Sequence, residues 1–113
     1  MTTDSHQTVE QRAKLAQAQA AQAYGRLLAI AETRDSGQVR RVAQFLASTY
    51  NGQAFPFDLF ELRAVDLAIS DDMLVCLDAL RWGKADLFKL VPDGDKRVRD
   101  VIELWGLKWP EEI

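Results

Sequence analysis

The stretch Phe55–Trp82 reads FPFDLFELRAVDLAISDDMLVCLDALRW. Its densest apolar run, Met73 to Leu77, follows directly on two acids, Asp71 and Asp72. Wound as an α-helix capped by Asp66, it places Ile69, Met73, Leu77 and Leu80 on one stripe and Leu74 and Cys76 on flanking faces. A helix that is apolar on every side needs neighbours nearly all round. The segment is therefore expected to be the central core element, with the chain packed around residues 73–80.

Upstream of it, Asp58 with Glu61 three residues on has the pattern of a capping box, which predicts a short helix over about residues 58–64. A short strand at 55–60 competes with that reading and with a plain connector through Pro56, because Phe55, Phe57 and Leu59 alternate. Before the connector, Val39, Val42, Ala43, Leu46 and Tyr50 form a stripe at helical spacing. It leaves Arg40, Arg41, Gln44 and Ser48 outward. Asp35 or Ser36 is the expected N-cap of this helix, and Asn51-Gly52 the stop, as residues that accept positive φ.

From Val9 to Ala31 the chain is rich in alanine, glutamine and leucine and has no proline, which predicts a long helix. Val9, Ala13, Ala16, Ala20, Ala23, Leu27 and Ile30 alternate at spacings of four and three, the seam of a coiled coil or close helix pair. Alanine buries little area, so residues 1–22 are expected to form a helical or mobile extension of a domain over 23–109, with Gly25 near the change. The same seam suggests self-association through the N-terminal helix. Downstream, Gly83 is the expected stop, residues 85–90 give one or two turns, and Pro92-Asp93-Gly94-Asp95 a turn that caps a last helix. Val98, Val101, Ile102 and Trp105 form its stripe and Gly106 closes it, with 110–113 expected to fray.

Size and charge narrow the possibilities. A chain of 113 residues is the length of one domain that needs no staples. Its apolar runs fall far short of the roughly 20 residues that span a bilayer. The N-terminus shows no signal-peptide pattern, so a cytoplasmic location is the expectation. The net charge of −3 is uneven: residues 36–54 carry +2 from Arg40 and Arg41, and residues 55–83 carry −4 from six acids against two arginines. An acidic chain with a small basic spot suits nucleic acid poorly, because phosphate contacts must cluster.

Chemistry-bearing patterns are sparse. The single histidine, His6, lies in the N-terminal extension and the single cysteine, Cys76, in the apolar run. Neither a nucleophile with a placed base nor a zinc ligand set results. No glycine-rich phosphate loop is present, and Asp93-Gly94-Asp95 lacks the ligand spacing of a calcium loop. Asp71 and Asp78, seven apart, share a helix face, with Asp72 about 100° round and Asp66 at the cap. Catalysis or metal binding by these acids would need a pocket and a partner that splits their pKa values. The simpler reading pairs them with Arg40, Arg41 or Arg81. Trp82, Trp105 and Trp109 read as core or lid residues, with an exposed interaction anchor as the other possibility.

The order AYGRLLAIAETRDSGQVRRVAQFL, then FDLFELRAVDLAISDDML, then a last helix with the pair Leu104-Trp105 is similar to a family of small uncharacterised bacterial proteins. Those have a leucine-rich helix, a turn ending in Gly-Gln, an RRVA-FL helix, FDL and an Asp-Asp-Met-Leu segment. The likeness covers residues 24–82. It weakens over 84–105, where PDGDKRV replaces a tyrosine- and glycine-rich connector. It implies a helical domain found in bacterial chromosomes and mobile elements, and carries no activity, cofactor or catalytic residue.

The resulting expectation is an all-α bundle of four main helices with one or two short ones, without catalytic residues, cofactor or metal. It would bind a protein partner through a surface drawn from Asp66, Asp71, Asp72, Asp78, Arg40, Arg41 and Trp109. The competing expectation is a nucleic-acid-associated regulator using Arg40, Arg41, Lys96, Arg97 and Arg99.

Overall fold

A computed structural model of the chain describes residues 8–112, and His6 lies outside them. Four α-helices, α1 (Val9–Thr33), α2 (Gly37–Tyr50), α3 (Leu67–Leu80) and α4 (Gly94–Leu104), are joined with short 3-10 helices at Leu59–Ala64, Leu87–Leu90 and Pro110–Glu112. No strand occurs among the described residues, so Phe55–Phe57 is a connector. The all-α class and the positions of the four helices agree with the sequence pattern.

Local chemistry starts and stops each helix. Thr8 opens α1 with a reciprocal cap: its Oγ1 accepts from the Gln11 amide at 3.0 Å while Gln11 Oε1 accepts from the Thr8 amide at 2.8 Å. α2 stops differently from expectation. Asn51 is extended, with φ −152°, and its Oδ1 accepts from the amides of Gln53 and Ala54. A side-chain turn, not a left-handed residue, ends this helix. Nor is there a capping box at Asp58, whose carboxylate accepts from Phe60 N at 2.9 Å while Glu61 turns to Arg41. α4 closes with Gly106 at φ +65°, the Gly106 amide on Glu103 O and the Leu107 amide on Ile102 O, a Schellman turn.

Tertiary packing moves the centre of the molecule. α1 touches each of the other three α-helices and the Leu87–Leu90 turn. Tyr24, Leu27, Leu28 and Ala31 on it are fully buried. α3 runs antiparallel to it, as the pairings of Arg12 with Trp82 and Arg26 with Asp72 show. α4 runs antiparallel to α2, with Arg40 reaching the carbonyl of Trp105 and Tyr50 reaching Asp95.

Two expectations are thereby corrected. α3 is an outer helix that buries one stripe, Ile69, Met73, Cys76 and Ala79, and leaves Leu67, Leu74 and Leu80 exposed. Leu77 is only partly buried. The described part of the N-terminal extension is also no exposed arm, since Ala13, Ala16 and Ala20 are buried and α1 passes Gly25 without a break. Small side chains let helices approach closely, so the alanine seam seats α3 through contact distance rather than through large buried area. From Ala13 to Leu27 the seam is occupied inside the chain, while its first member, Val9, and Leu15 stand exposed.

A polar chain links α1 to α2 inside the core. Thr49 Oγ1 donates its one proton to Leu46 O at 2.6 Å, so Tyr24 Oη donates to Thr49 Oγ1 at 2.7 Å. Burial raises the Tyr24 phenol well above its ordinary pKa. Trp105 adds a second link, its indole N–H donating to Ala31 O at 2.9 Å.

Candidate interaction surface

The acids of α3 point in three directions. Asp66, at the N-cap position, makes no capping bond. Its Oδ2 accepts from Gln38 Nε2 at 3.0 Å and its amide donates to Gln38 Oε1 at 2.9 Å, a bracket that ties α3 to the start of α2. Asp72 faces α1 and takes a two-point contact from Arg26, Nε to Oδ2 at 3.0 Å and Nη2 to Oδ1 at 2.8 Å. The carboxylate holds the guanidinium and raises its pKa, chiefly through these bonds. Asp78 pairs with Arg81 at 2.7 Å on the outside, and Asp71 is exposed and without an ion-pair partner among the described residues.

The basic candidates are engaged elsewhere. Arg40 donates to Trp105 O at 3.1 Å and Arg41 pairs with Glu61. Lys96 pairs with Asp100 at 2.6 Å, Arg97 with Glu32 at 2.7 Å and Arg99 with Asp95 at 2.7 Å. Each of these three cations has its pKa raised, first of all by the hydrogen bond to its acid. Asp95 is held low, by the Tyr50 hydroxyl first and Arg99 second.

Trp109 meets Phe55 edge-on at 4.8 Å between ring centres and Tyr50 at 6.4 Å, and is partly buried there. Tyr50 ends α2 and Gln38 begins it, so Trp109 and Asp66 lie toward opposite ends of that helix. The seven surface candidates therefore do not converge. Asp71 and Asp78 share the outer side of α3, as their spacing predicts, while the others serve contacts between elements.

Exposed apolar residues were missed by the sequence reading. Leu59, Phe60, Leu67, Leu74 and Leu80, five of the eight large apolar residues that stand exposed among the described residues, fall within residues 59–80. Phe60 is 68% exposed and carries the Arg63 guanidinium 4.9 Å above its ring. The available signal was the pair Leu67 and Leu74, seven apart like Asp71 and Asp78, which marks a second row on α3.

The geometry offers little for bond chemistry. Cys76 is fully buried, and burial first and the charge of Asp72 second push its thiol up to about 12, so it stays protonated and inert at neutral pH. Among the described residues no group of three or more His, Cys, Asp or Glu is placed to hold a metal ion. An open recess of about 480 Å³ between α4 and the tail is lined by Arg99, Ile102, Glu103, Lys108 and Trp109 without a convergent acid–base pair. No helix among the described residues is long and apolar enough to cross a membrane.

Residues 21–106, from the middle of α1 to the glycine after α4, match the model of a family of unknown function (DUF7673), and the chain belongs to that family. No curated protein and no solved structure matches it.

Proposed function

We propose that this member of the DUF7673 family is a non-catalytic protein-interaction module that docks its partner on the acidic and apolar side formed by residues 59–80. The supporting observation is the concentration of exposed Leu59, Phe60, Leu67, Leu74 and Leu80 in the segment that carries the strongest net charge of the chain. Apolar side chains concentrated in one stretch of the chain and interleaved with charge suit an interface better than a solvated face. The proposal includes a bacterial accessory protein, of chromosomes and mobile elements, working in the cytoplasm. A nucleic-acid surface is the less favoured reading, because Arg41, Lys96, Arg97 and Arg99 are each neutralised by an acid and Arg40 is bound to a carbonyl.

The test is capture from native lysate with the intact chain, with and without nuclease, beside a variant carrying Leu59→Ser, Phe60→Ser, Leu67→Ser and Leu74→Ser. Circular dichroism checks that the variant is folded. Proteins retained after nuclease and lost with the variant are expected. Capture that disappears with nuclease, or that ignores the four substitutions, overturns the proposal.

A further inference from the structure

The outward side of α3 carries Leu67, Asp71, Leu74 and Asp78 at spacings of four, three and four residues. These spacings set the four side chains in one row along about 16 Å of helix. All four are exposed, Leu67 to 77% and Leu74 to 54%. The opposite row, Ile69, Met73, Cys76 and Ala79, is already buried. α3 thus has two seams, and only one of them is covered.

Resting on the interaction-module reading, we infer that the outer row receives one amphipathic helix of a partner protein, bearing leucine-like and lysine or arginine side chains at the same spacing. Charge selects this occupant. Asp71 makes no ion pair among the described residues, with Arg26 and Arg34 lining the same open recess, and Asp78 pairs only with Arg81, in a pair whose side chains are about half exposed. Residues 55–83, these two aspartates included, carry a net −4, with Glu61 and Asp72 of that segment paired to Arg41 and Arg26 from outside it. A basic helix would place its cations over Asp71 and Asp78 while its apolar side chains cover Leu67 and Leu74.

A second copy of the chain fits less well. Laid parallel on the same row, it sets Asp71 and Asp78 against themselves. Laid antiparallel about the row's centre, it sets each leucine against an aspartate. Like charges at contact and carboxylates against apolar groups both oppose association.

Fluorescence anisotropy tests this with the intact protein and a labelled synthetic helix of about 18 residues, carrying Leu and Lys on one face at spacings of three and four. Controls are a scrambled peptide of the same composition and a version with Glu for Lys. The amphipathic basic peptide is expected to bind with a Kd on the order of 10 µM, more weakly in high salt. Leu74→Lys and, separately, Leu67→Lys should each weaken it roughly tenfold, because a cation then stands where the leucine met its cover. Asp71→Lys with Asp78→Lys should weaken it as much and remove the salt dependence. Absence of binding, equal binding of the scrambled peptide, or indifference to both leucine substitutions overturns the inference. So does a dimer in sedimentation velocity that Leu74→Lys dissolves. If the peptide fails while lysate capture still depends on the four-serine variant, the basic-helix assignment falls and the interaction-module reading stands; if both fail, both fall.

Discussion

Arg26 on α1 grips Asp72 on α3 through two parallel hydrogen bonds, of 3.0 and 2.8 Å, across 46 positions of sequence. With α3 turned so that its apolar stripe is buried, Asp72 faces α1 and its neighbour Asp71 faces outward. Arg26 is more than half exposed, so solvent screens the pair. Arg26→Ala and Asp72→Ala in a double-mutant cycle should give a coupling no larger than about 1 kcal/mol that shrinks with salt. A much larger, salt-independent coupling would mean that this pair, not the apolar stripe, holds α3 in place.

The two seams of α3 should differ in stability cost. Met73 is fully buried against the core and Leu74, next in sequence, is 54% exposed. Met73→Ala should cost about 2–5 kcal/mol, and Leu74→Ala about 0.5 kcal/mol or less. Urea denaturation with unchanged m-values checks both. Equal losses would turn the helix round.

Two glycines in contact with the same segment should respond in opposite ways. A Cβ on Gly94 would lie 1.7 Å from the carbonyl oxygen of Phe88, whereas one on Gly25 would meet Val91 Cγ1 at an ordinary 3.9 Å. Gly94→Ala must displace backbone and should cost about 1–3 kcal/mol or more. Gly25→Ala sits inside a helix with room and should stabilise by about 0.5–1 kcal/mol. Thermal melting separates them, with a fall in Tm for the first and a rise for the second.

Alkaline pH should loosen the core through Cys76 and Tyr24. Both have folded pKa values raised by burial, Cys76 to about 12. An acid whose pKa is raised on folding keeps more protons folded than unfolded, so its contribution is complete below the unfolded pKa and is lost as pH rises through the folded value. Stability should fall from above the ordinary thiol value toward about 12. Cys76→Ser should show less of that slope. In the native protein at about pH 8, a thiol-specific reagent should react with Cys76 only when denaturant is added.

Helix positions were legible in the sequence because they follow from periodicity and breakers. Val39, Val42, Ala43 and Leu46 form the buried stripe of α2, Val98, Val101 and Ile102 that of α4, and Gly106 closes α4 through its positive φ. The shared outer face of Asp71 and Asp78 was equally readable, since spacing on one helix needs no knowledge of its neighbours.

What the sequence could not supply was the side of each helix that another helix covers. A run apolar on all faces, as in α3, is compatible with burial all round and with one uncovered seam, because periodicity records side-chain character and not the presence of a neighbour. An alanine seam likewise looks weak by area, yet Ala13, Ala16 and Ala20 are buried under packed elements because their small size admits close approach. Pairings such as Arg26 with Asp72 and Gln38 with Asp66 depend on which elements meet, and tertiary packing alone decided them. Amino-acid order thus determined where this chain is helical and which residues share a face. The close fit of α3 onto α1 decided which face became core and which was left open, since only contact between distant segments distinguishes two apolar sides of one helix.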